Sequence, residues 1–80
     1  MHELSIAVSL VELAAEQVRL EPGERVTHLH LRLGRQSGVA KDALMFSFDV
    51  AAEGSPIEGA ALAIDETSGH ELQLIAVEVQ

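Results

Sequence analysis

The stretch Arg25-Val26-Thr27-His28-Leu29-His30-Leu31-Arg32-Leu33-Gly34 decides the fold. Its residues alternate in character. Thr27, Leu29, Leu31 and Leu33 point one way, and Val26, His28, His30 and Arg32 the other, because successive residues of a strand face opposite sides of a sheet. This predicts a half-buried strand with its leucines inward. Gly34 ends it, and Arg35-Gln36-Ser37-Gly38 reads as a loop.

Upstream, Leu4 to Leu20 predicts an amphipathic helix. Leu4, Val8, Val11, Ala15 and Val18 follow the 3–4 spacing, and Ala7, Leu10 and Ala14 widen the stripe. Pro22-Gly23 stops it. Downstream, a second helix is expected from about Val39 to Ala52, with Ser37 as its N-cap. Leu44/Phe48 and Phe46/Val50 lie on adjoining sides of that helix, so it should be apolar over much of its circumference. Gly54-Ser55-Pro56 breaks it.

A second strand follows through Ala60, Leu62 and Ile64, and a third from Leu72 to Val79. In the third, Leu72 and Leu74 share one face and Ile75, Val77 and Val79 take the other. A bulge near Leu74-Ile75, or burial on both faces, accounts for the slip. Thr67-Ser68-Gly69-His70 is turn-like and should join these two strands as an antiparallel hairpin. The order α-β-α-β-β predicts an α/β fold: a small two-layer sandwich of a three-stranded sheet with two helices on one face. Residues 1–80 read as a single domain without repeats or linkers.

Composition narrows the function. The formal net charge of −8 opposes binding to nucleic acid or to anionic membrane surfaces. No stretch approaches the roughly 20 apolar residues of a membrane span. The N-terminus lacks the basic region and cleavage site of a signal peptide, so a cytoplasmic protein is expected. The absence of cysteine excludes disulfides, thiolate zinc sites and cysteine catalysis. No serine sits in a nucleophile elbow, and there is no glycine-rich phosphate loop, so an enzyme is not expected. The core of so short a chain is small, which invites self-association as a homodimer.

Metal-binding chemistry stands at the start, Met1-His2-Glu3. The Met1 amine, the His2 amide nitrogen and the His2 ring close two small chelate rings. Such nitrogen-rich tetragonal geometry suits Ni(II) or Cu(II). Glu3 offers a fourth donor through its amide or its carboxylate. His28 and His30 have a metal-ligand spacing too, but with no carboxylate in sight beside them a solvated sheet face is the simpler reading. His70 reads as a polar turn residue.

Taken together the chain resembles the HypA/HybF family of nickel metallochaperones, which help mature nickel–iron hydrogenases. The resemblance rests on Met1-His2-Glu3-Leu4-Ser5 with Ser9-Leu10-Val11, on Arg25-Val26-Thr27 and its strand, and on Ser37-Gly38-Val39 with Phe46-Ser47-Phe48-Asp49-Val50. Glu58-Gly59-Ala60, Gly69-His70-Glu71-Leu72 and Val77-Glu78-Val79 extend it nearly end to end. The resemblance implies Ni(II) bound at Met1, His2 and Glu3, with His2 the essential side chain and Glu3 a ligand through its amide or a supporting group. It also implies a HypB-type GTPase partner, contacted through the first helix near the site, and a hydrogenase large subunit or its maturation complex as client. Family members carry a zinc-binding insertion with two Cys-x-x-Cys pairs between the last two strands. Here Glu66 leads straight into Thr67-Ser68-Gly69, so no zinc site is expected. A cut at a surface turn should spare the core. The alternative is a metal-independent interaction module of the same machinery.

Overall fold

Leu29, Leu31 and Leu33 are at most 2% exposed in the computed structural model, which describes residues 2–80. They sit on β1 (Val26–Gly34), and around them run α1 (Glu3–Gln17), α2 (Lys41–Ala52), β2 (Ala61–Thr67) and β3 (Leu72–Val79). The expected α/β architecture is present: one mixed three-stranded sheet, with both helices against its leucine face. Ala7, Leu10, Val11 and Ala14 of α1 and Leu44, Phe48 and Ala52 of α2 share the core with the β1 leucines.

The sheet order is β2-β1-β3, with β2 parallel to β1 and β3 antiparallel to it. The expected β2–β3 hairpin is therefore corrected: β1 lies between the two. α2 forms the crossover that a parallel neighbour requires, which places β2 beside β1 and leaves the opposite edge to β3. The leucine strand thus becomes the central one, paired along both edges.

Two irregularities set which side chains face inward. Val26 pairs with Val79 and His28 with Glu78, so Thr27 is an extra residue on β1. Val26 swings inward and is 1% exposed, instead of sharing a face with the histidines. On β3, Ile75 is extra between Ala76 and Leu74, where the slipped alternation placed a bulge. Leu72, Leu74 and Val77 then reach the core while Ile75 stays half exposed.

The helices are shorter than the sequence implied. α1 stops at Gln17, and Val18 is already extended; extended chain lets Val18 and Leu20, two apart, both pack on the core. On α1, Leu4 and Val8 are exposed rather than part of the buried stripe. The N-cap of α2 is Ala40, not Ser37; the Ser37 hydroxyl accepts the Val39 N–H at 3.2 Å within the preceding loop. Phe48 is fully buried, whereas Phe46 on the adjoining side is 73% exposed.

The chain between β2 and β3 crosses the end of β1 and is bonded to it. The backbone N–H groups of Gly34, Arg35 and Gln36 donate to the carbonyls of Glu71, Thr67 and Gly69, at 2.7–2.8 Å. A Cβ on Gly34 would lie 2.1 Å from the Gly69 carbonyl oxygen. This connection is a docked strap, not the free hairpin turn expected at the Glu66-Thr67 junction. Gly34→Ala should lower unfolding stability by about 1–3 kcal/mol through steric overlap. Thermal denaturation should show this as a Tm fall of roughly 4–8 °C per kcal/mol. Ser68→Ala, at an exposed position of the strap, should leave Tm nearly unchanged.

Candidate functional site

His2 is exposed and occupies the N-cap of α1, where its carbonyl accepts the Ile6 N–H at 3.1 Å. Its imidazole makes no capping bond and is presented to solvent. Met1, the third expected donor residue, lies outside the described residues. Glu3 is the first residue of α1 and is half-buried. Its carboxylate Oε2 accepts the Ala40 N–H at 3.1 Å, so the start of α1 lies against the start of α2. That hydrogen bond is the main reason its carboxyl sits below the usual range.

His28 and His30 project from the sheet face that carries no helices. β3 brings Glu78 between them, the flanking carboxylate that sequence reasoning missed. The His30 Nε2 bonds Glu78 Oε1, and the His28 Nδ1 is 3.9 Å from Oε2. The His28 Nδ1 also lies 3.1 Å from the Thr27 hydroxyl. The two imidazoles stack with centroids 5.9 Å apart. Among the described residues, no three His, Asp or Glu side chains stand in a geometry that would hold a metal. The trio is a hydrogen-bonded surface cluster in this arrangement. His70 donates through Nδ1 to the Gln36 carbonyl at 3.0 Å and helps fix the strap.

No polar or charged side chain among the described residues is buried, so the desolvated, strongly shifted groups that typify catalytic clefts are not found there. No helix of the described residues is long and apolar enough to cross a membrane.

A family model described as hydrogenase/urease nickel incorporation, metallochaperone, hypA matches residues 1–75. Hydrogenase maturation factor HypA of Roseiflexus sp. is 59% identical over 66 residues, covering 82% of this chain and 54% of the relative. The factor of the same name from Chlorobaculum tepidum is 45% identical over 69 residues, covering 86% of this chain and 61% of the relative. The chain thus spans a little over half the length of these relatives. The solution structure of the Ni metallochaperone HypA from Helicobacter pylori superposes with a TM-score of 0.81 at 19% identity, covering 98% of this chain and 97% of that one. At that identity the match speaks for the fold.

The His30 bond, helped by the charge of a protonated His28, holds the Glu78 carboxyl below its ordinary value of 4.5. A lowered folded value means that the contact stabilises the fold above pH 4.5 and fades as pH falls through the folded value. A pH titration followed by carboxyl NMR should place the Glu78 midpoint below that of an exposed glutamate. His30→Ala should move it upward; an unmoved midpoint would show that the bond is not formed in solution.

Proposed function

The chain belongs to the HypA family of hydrogenase/urease nickel-incorporation metallochaperones, and from that premise we propose that it binds Ni(II) at Met1-His2-Glu3 and delivers it during nickel–iron hydrogenase maturation. The observation that supports this reading is the placement of His2: exposed, at the first turn of α1, and anchored beside Glu3. The donors are the α-amine, the His2 amide nitrogen and the His2 imidazole, a nitrogen-rich set matched to tetragonal Ni(II). An ion held at an exposed chain end leaves by stepwise ligand exchange, as delivery requires. The chain acts as a carrier, not an enzyme, in the cytoplasm. A HypB-type GTPase is its partner, meeting α1 where Leu4 and Val8 are exposed, and a hydrogenase large subunit or its maturation complex is its client.

The exposed apolar side chains of the helix layer, Phe46 and Val50 with Leu4 and Val8, favour a second reading: a module that holds its protein partners without metal. Pull-down of the GTPase with His2→Ala separates the two. Partner binding that depends on nickel supports the carrier; binding indifferent to nickel supports the module.

Calorimetric Ni(II) titration of the untagged protein should give one-to-one binding. His2→Ala and a variant with one glycine before Met1 should both lose it, because each removes a donor or displaces the amine. Affinity should also fall between about pH 7.5 and about pH 5, since protons compete for imidazoles and α-amines, which titrate near ~6.5 and ~8 in model peptides. Equal binding by all three proteins would sink the assignment.

A further inference from the structure

β3 is an outer strand: among the described residues it pairs with β1 on one side only. Its other edge presents backbone N–H and C=O groups with no strand beside them, a template on which a further strand adds. Lysine, proline or an inward-pointing charge blunts such an edge in many proteins. β3 has none of these, and Glu78 is its only charge. It does carry the Ile75 bulge, and the bulge sets a symmetry. With Ile75 left out of the ladder, as it is against β1, the remaining residues are centred on Ala76. Leu72, Leu74 and Val77 lie on the core side, as does Val79 opposite Val26. Gln73, Ala76 and Glu78, opposite Arg32, His30 and His28, lie on the open side.

Turned antiparallel onto a second copy about a twofold axis at Ala76, the strand matches itself. Leu72 meets Val79, Leu74 meets Val77, and Gln73 meets Glu78, whose carboxylate can accept a bond from the Gln73 amide. Opposed residues of antiparallel strands share a face, and in this register every pair does. The two Glu78 carboxylates stand four positions apart, roughly 13 Å along the strands, beyond the screening length of about 8 Å at physiological salt. β2, the other outer strand, is less suited. Asp65 and Glu66 follow directly on its middle residue, Ile64, so pairing with its own copy there crowds four carboxylates about the axis. A groove between α1 and β3, with Ser9 and Leu13 above Leu72 and Leu74, lies along the β3 edge. Leu13 there is 42% exposed. A twofold axis perpendicular to the sheet keeps both helix layers on one side, so the second copy's α1 comes to this groove.

We propose that the outer edge of β3 is a self-association surface whose occupant is a second copy of this chain. Three strands from each copy then form one continuous sheet of order β2-β1-β3-β3-β1-β2, and the two α1 helices close over the seam. The inference is independent of the nickel reading.

The register is open to a cross-linking test. The chain has no cysteine, so a single introduced thiol can pair only with its own copy. Opposed Cα atoms of antiparallel strands lie about 4.5–5.5 Å apart, within the range a disulfide bridges. On mild oxidation Ala76→Cys should become a covalent dimer, and Ala63→Cys, on the open face of β2, should stay at 8.6 kDa. Sedimentation equilibrium should show the native chain exchanging between monomer and dimer. Gln73→Glu changes an exposed side chain and opposes like charges twice in each dimer, so it should raise the dissociation constant about tenfold. Adding Glu78→Gln restores the pair with its sides exchanged and should bring the constant back to within about threefold of native. A native chain still monomeric at ~1 mM would overturn the proposal. So would equal cross-linking of the two cysteine variants, a Gln73→Glu dimer as tight as the native one, or no recovery in the double variant, since each of these places association on another face or in another register.

Discussion

The fold depends on the burial of one side of one strand. Leu29, Leu31 and Leu33 lose nearly all contact with water, and a fully buried leucine is worth about 1.5–3 kcal/mol relative to an exposed one. Burying them requires both helices on the same side of the sheet, since nothing else in the chain is apolar enough to cover them. It also requires a strand on each edge of β1, because buried backbone N–H and C=O groups must be paired. β2 and β3 meet that demand from opposite edges. The histidines, forced to the other side by the pleat, face solvent because there is no third layer.

That logic was legible in the alternation of Arg25 to Gly34, and the element order followed from Pro22-Gly23 and Gly54-Ser55-Pro56. The topology was misread for a definable reason. A short polar turn at Thr67 to His70 reads as a hairpin whether its strands are neighbours or are separated by another strand. The two cases differ only by one strand spacing of about 4.8 Å, which the connection Ser68 to Glu71 spans easily. The discriminating signal was the β-α-β order itself, which calls for a parallel pair and fills one edge of β1. Gly34 carried a second clue: a strap crossing the strand end leaves no room for a Cβ there.

The two bulges show the same limit from opposite sides. On β3, adjacent Leu74 and Ile75 break the apolar alternation, so the bulge can be seen in the residues. On β1, Val26-Thr27 keeps a clean alternation, and only the pairing of Val26 with Val79 reveals the extra residue. Bulges also fix the phase of Glu78, which is why the carboxylate beside His28 and His30 could not be read from spacing 48 residues away. At the chain start, the sequence placed His2 and Glu3 at the opening of a helix, where the structure has them. The bond of the Glu3 carboxylate to Ala40 was not legible, because its donor is a backbone N–H, which leaves no mark in a sequence.

The nickel site proposed at the chain start has an electrostatic consequence. Glu3 and Ala40 mark the N-terminal ends of two helices brought together, and each helix end carries a partial positive charge from its aligned peptide dipoles. A divalent cation placed there is opposed by both. The opposition is offset locally by acidic residues in the first turns, Glu3 in α1 and Asp42 in α2, and more diffusely by the net charge of −8. Binding then depends on deprotonated nitrogen donors, whose strength varies with proton competition and with any ligand a partner offers. A buried all-carboxylate cage would hold the ion more firmly and release it more slowly. The exposed site proposed here, set against two helix dipoles, would gain its affinity from a few exchangeable bonds, which is the property a carrier needs in order to let go.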